Sequence, residues 1–137
     1  VIPYAQREVF TPLTLDLLQH AEMFIARVSS QWGNELRCHE LARAAFLVLV
    51  QISAYKMRVV DGVVGIVDHS WIEIAANDRY DRNRSRMVIL DVYCPGRLPQ
   101  VQLVDSFVFL RPTYEEREPR GDIREEIVQR LVKQMRP

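Results

Sequence analysis

The sequence predicts an α+β fold in which one buried helix lies on an antiparallel sheet. Residues 41–50 are apolar except for Arg43, and a helix with so little polar surface belongs inside a domain. From Met57 onward the chain changes to short runs rich in Val and Ile, partly alternating with polar residues, as strands do. Helical patterns stand before and after these runs rather than between them. That order favours an antiparallel sheet with its helices segregated to one side.

At 137 residues the chain is expected to form a single domain, 1–137, with a core of its own. Hydrophobic residues make up 48% and charged residues 26%, an ordinary globular balance. Lys plus Arg (18) equals Asp plus Glu (18), so the basic excess of a general nucleic-acid binder is missing. No apolar run is long enough to span a bilayer, and no basic-then-apolar start resembles a signal peptide, so no membrane partner is expected. Two cysteines make no disulfide framework, which points to a reducing, cytoplasmic compartment. No cofactor and no metal is expected.

Residues 1–10 have no clear periodicity and read as an arm. Thr11-Pro12 suits an N-cap followed by proline at the first helical position. Leu17, Ala21, Phe24, Ile25 and Val28 then recur at helical spacing. Residues 29–34 break the pattern as a loop. The central helix is expected from Glu35 or Cys38 to about Ala54. Residues 57–67 read either as one strand with a bulge or as a hairpin turning at Asp61-Gly62. The next strand, 69–75, places His69, Trp71 and Glu73 on one face. Residues 77–86 form a polar loop, 87–92 a strand, 93–99 a turn-rich loop and 101–110 a strand. Residues 111–121 are expected to be exposed. Asp122 and Glu125 are spaced as a capping box before a closing helix whose face carries Ile123, Ile127, Leu131 and Met135.

Three residues carry the chemistry. Cys38 opens the buried helix, where free N–H groups and the helix dipole favour a thiolate. His69 opens a strand and Asp91 ends another. Thiol catalysis needs a sulfur nucleophile, an imidazole to take and return its proton, and a carboxylate to orient the imidazole. If strands 69–75 and 87–92 are neighbours, His69 and Asp91 meet at one end of the sheet. A helix crossing that sheet then delivers Cys38.

The segments Cys38-His39-Glu40-Leu41-Ala42, Asp68-His69-Ser70-Trp71-Ile72-Glu73-Ile74 and Ile89-Leu90-Asp91-Val92-Tyr93 resemble the transglutaminase-like branch of the papain-fold thiol enzymes. The likeness covers about residues 31–96. It implies a papain-like core with Cys38 as nucleophile, His69 as general base and acid, and Asp91 as orienting carboxylate. It also implies a protein or peptide substrate. The family contains peptidases, glutamine deamidases and cross-linking transglutaminases, some of them effectors delivered into host cells. Many relatives have glycine before the cysteine and an aromatic residue after it. This chain has Leu36-Arg37 and His39 there, so amide hydrolysis is expected ahead of cross-linking. By the same resemblance Gln31, with Asn34 as rival, would help the Cys38 N–H hold an oxyanion. Trp71 would form a wall of the site or part of the core.

Competing uses of these residues are blander. A non-catalytic protein-binding domain could keep the fold without turnover. Zinc at Cys38, His39, His69 and Cys94 lacks supporting ligand spacing. The arginines at 79, 82, 84 and 86 alternate with aspartates and suit a solvated loop. His39 is expected to point away from Cys38, and Glu40 to complement the dipole of its helix. Cys94 either packs in its loop or, under oxidation, reaches Cys38 as a disulfide partner.

Overall fold

Hydrophobic spacing and local breakers together decide where each element starts and stops. The structure, a computed structural model, describes residues 12–75, 87–92, 102–105 and 114–136. Helix α1 spans Pro12–Ala26. It closes on shorter-range hydrogen bonds, Arg27 N to Phe24 O and Val28 N to Ile25 O. The expected loop after it is a 3-10 helix, Ser30–Glu35, whose N-cap Ser29 accepts from the N–H of Gln31. Gly33 has a positive φ of 53° inside that segment, a backbone state that glycine enters cheaply.

Helix α2 is Cys38–Leu49. It stops short of the expected Ala54, because Gln51 and Ile52 already bond at turn spacing, to Val48 O and Leu49 O. Nine of its twelve residues are buried, from Cys38 through Leu49. At about 1.5–3 kcal/mol for each large apolar side chain, this helix is a main contributor to the core.

The sheet has five strands in the order β4-β3-β2-β1-β5. They are β1 (Met57–Val64), β2 (Val67–Ala75), β3 (Met87–Asp91), β4 (Gln102–Asp105) and β5 (Tyr114–Glu116). All four pairings are antiparallel. The α+β class is therefore the one expected. Asp61-Gly62, however, is neither a turn nor a bulge. It lies within β1 in unbroken register, Asp61 opposite Ser70 and Gly62 opposite His69. The hairpin turns at Gly65-Ile66, with Gly65 at φ 64° and Ile66 98% exposed.

Alternation divides the sheet into two faces. Ile72 and Ile74 of β2, with Val88 and Leu90 of β3, join Leu41, Ala45 and Leu49 of α2 in the main core. The opposite face carries a smaller cluster of Val60, Trp71 and Ile89, backed by Val64 and Tyr114. Tyr114 belongs to β5, within a stretch expected to be exposed. Gly62 allows that strand in: a Cβ there would stand 2.1 Å from Glu115 O and 2.8 Å from Trp71 Cη2.

Helix α3 spans Glu125–Met135 and buries Ile127, Val128, Leu131, Val132 and Met135. The expected capping box is not formed. Arg124 is the N-cap and makes no side-chain cap, because the Asp122 carboxylate is engaged by Arg37 and Arg120 instead. Glu40 is likewise more than a dipole partner. It is fully buried and takes Arg37 Nε at 2.7 Å, Arg37 Nη2, Arg124 Nη2 at 2.8 Å and the Arg124 N–H at 3.3 Å. This clamp joins the first turn of α2 to the start of α3. Among the described residues no helix is long and apolar enough to cross a membrane. Residues 1–11, the loops at 77–86 and 93–99, and the outer parts of the 101–110 run lie outside the described residues.

Candidate active site

Cys38 is the first residue of α2, after an extended Arg37 at the N-cap. The first-turn N–H groups of a helix have no acceptor within it and carry the positive end of the dipole. The residue is 6% exposed. Burial by itself would push the thiol up. A hydrogen bond with His39 and the nearby His69 imidazole outweigh it and bring the thiol down to about 6.

His69 is 1% exposed. Its Nε2 lies 2.8 and 2.7 Å from the two oxygens of Asp91, across the β2–β3 pair. Burial would lower the imidazole, but interaction with Asp91 and then Cys38 raises it to about 9. With Nε2 committed to Asp91, Nδ1 is the nitrogen left for the thiol. Nδ1 is buried without a hydrogen-bond partner. Cys38 is thus near enough to act on the ionisation of His69 without a hydrogen bond to Nδ1.

Asp91 also accepts from Tyr114 Oη at 2.8 Å, a bond delivered by β5. Trp71 sits behind the imidazole, with ring centroids 6.3 Å apart, and meets Tyr114 edge-on at 5.2 Å. At 1% exposure Trp71 is a core ring rather than a wall open to substrate. Gln31 and Asn34 are both exposed on the 3-10 segment that precedes Cys38. Cys94 lies outside the described residues, as do the arginines at 79, 82, 84 and 86.

His39 differs most from expectation. It does not point away from the sulfur. Its Nδ1 is 3.6 Å and its Nε2 3.9 Å from Cys38 Sγ, and the ring is buried. Behind it runs a second polar chain. His39 Nδ1 is 2.7 Å from Ser70 Oγ, and that hydroxyl donates to Asp61 Oδ1 at 2.5 Å. Arg43 grips Asp61 with two bonds, 3.0 and 2.6 Å, and the Arg120 N–H adds a third at 3.0 Å. Although burial would raise the Asp61 carboxyl, these donors hold it down at about 2. The signal for Asp61 was present but masked, because Asp-Gly is the strongest hairpin pair a sequence can show.

Among the described residues no group of three or more His, Cys, Asp or Glu side chains is placed to hold a metal ion. Searches against protein-family models, curated proteins and solved structures found no match to this chain.

Proposed function

We propose that the protein is a cysteine-dependent amide hydrolase or acyltransferase of the papain-like, transglutaminase-like kind, acting on a peptide bond or a glutamine side-chain amide. The observation that carries this reading is the pairing of His69 with Asp91 through Nε2, which leaves Nδ1 toward a thiol lowered to about 6. A depressed thiol beside a raised imidazole favours the thiolate–imidazolium pair that nucleophilic catalysis needs.

In this mechanism the Cys38 thiolate attacks the amide carbonyl carbon. The oxyanion so formed draws on the Cys38 N–H and on Gln31 or Asn34. The His69 Nδ1 proton passes to the departing nitrogen, and the C–N bond breaks to leave a thioester. His69 then removes a proton from water, and the hydroxide expels the Cys38 thiolate as the acid forms. A glutamine substrate would release ammonia, and a peptide would release a new amino terminus. An amine in place of water would give transamidation.

The test incubates the protein with peptide and protein substrates and reads products by mass. A cut chain, a gain of about one dalton, or a cross-link each identifies one branch of this chemistry. Cys38→Ala should abolish every product while leaving the circular dichroism spectrum unchanged. Product formation that survives Cys38→Ala removes the reading. One observation favours a second reading, a protein-binding domain without turnover: both Cys38 (6%) and His69 (1%) are nearly closed to solvent. That reading expects no product from any substrate and slow alkylation of Cys38.

A further inference from the structure

Cys38 has two imidazoles beside it, and the mechanism above uses only one. The direction of the second polar chain follows from its far end. Asp61, bonded by Arg43, Ser70 and the Arg120 N–H, is an ionised acceptor. Ser70 Oγ has one proton and spends it on Asp61 Oδ1. Toward His39 that oxygen can only accept, so the 2.7 Å contact requires a proton on His39 Nδ1. Arg43 also donates to the His39 carbonyl at 3.0 Å, fixing the backbone of the same residue. The ring is therefore held in one tautomer and one orientation, with the sulfur at 3.6 and 3.9 Å from its nitrogens.

We propose that His39 is a second functional imidazole at the nucleophile, set by the Arg43–Asp61–Ser70 relay to hold the Cys38 sulfur in place and favour its ionised form. The charged and titratable groups around it are Cys38 and Arg43 on α2, Asp61 on β1, His69 on β2 and Arg120 beyond β5. Asp91 acts from β3 through His69. The two imidazoles divide the work. His69, paired with Asp91, exchanges protons with substrate, whereas the His39 Nδ1 proton, shared between Ser70 Oγ at 2.7 Å and the sulfur at 3.6 Å, stays on the ring through the cycle. The catalytic consequence rests on the thiol-enzyme reading. The hydrogen-bond order and the effect on the thiol do not.

Two measurements test the inference. Long-range nitrogen–proton NMR on the unmodified protein should find the His39 proton on Nδ1, and an unprotonated Nδ1 overturns the relay. Alkylation of Cys38 by iodoacetamide, followed by peptide mass mapping between pH 5 and 10, should be about tenfold slower near pH 6 in His39→Gln and Ser70→Ala. That is the lower end of what a hydrogen bond to a charged group is worth. Ser70→Thr keeps the hydroxyl and should restore the profile. An unchanged profile in folded His39→Gln, or equal slowing in Ser70→Thr and Ser70→Ala, overturns the proposal. Neither measurement needs a substrate. Absence of turnover would therefore sink the proposed function while leaving this inference standing, and the reverse also holds.

Discussion

Cys38 and His69 behave as one titrating unit, with apparent values that belong to the pair. The thiol is lowered to about 6 and the imidazole raised to about 9. Thiolate with imidazolium is thus the main form between those limits. Turnover should be bell-shaped in pH, rising through about 6 and falling through about 9. Asp91→Asn removes the charge that raises His69, so the alkaline limb should move to lower pH. A limb that stays in place would show that Asp91 does not set it. His69→Ala should slow alkylation at neutral pH, and an unchanged rate would exclude His69 as the thiol's partner. Cys38 and Asp91 stood out in the sequence at element ends, and His69 stood out as the expected start of a strand that in fact begins two residues earlier, at Val67. Asp61, Ser70 and the true direction of His39 did not. Their meaning depends on which residues face each other across β1 and β2, and a strand's partner is invisible in its own sequence.

The strands were legible where apolar and polar residues alternate, as in β2, and the buried helix was legible from its composition. β5 was not. Its three residues, Tyr-Glu-Glu, have no apolar period, and they are strand only because Gly62–Val64 pair with them. That contact gives Gly62 a strict role. Gly62→Ala places a methyl against the Glu115 carbonyl, where the neighbour is backbone and cannot swing aside. The expected cost is about 2–3 kcal/mol, in the range of core overpacking, read as a lower urea midpoint. The same variant should draw Tyr114 away from Asp91. Tyr114→Phe separates the two effects, since it deletes the 2.8 Å bond to Asp91 and leaves the backbone strand pairing intact. Similar activity losses in both variants with different urea midpoints are expected. Full activity in Tyr114→Phe would show that this bond does not support the site.

For the whole molecule the decisive group is the buried carboxylate of Glu40. Burial would raise Glu40, but Arg37 and Arg124 hold it at about 2, below its ordinary 4.5. Because the folded value is depressed, its contribution is complete above about 4.5 and is lost as pH falls toward about 2. Asp61 follows the same sign, from 3.8 to about 2. Acid unfolding should begin in that window. Glu40→Gln should cost about 2–3 kcal/mol, less than breaking a fully buried pair because both arginines are partly exposed. It should also flatten the acid limb of stability, and an unchanged limb would assign that limb to other carboxylates. No local pattern announces such a clamp, since Glu40 and Arg124 lie far apart in the chain. Its consequence is one of timing. A growing polypeptide releases α2 long before Arg124, and until Arg124 arrives Glu40 lacks half of its partners while the core facing α3 stands open. Asp91 likewise waits for Tyr114. The reactive sulfur is thus completed by later residues, and a ribosome-bound chain that ends before them should carry a Cys38 as sluggish toward iodoacetamide as any free thiol.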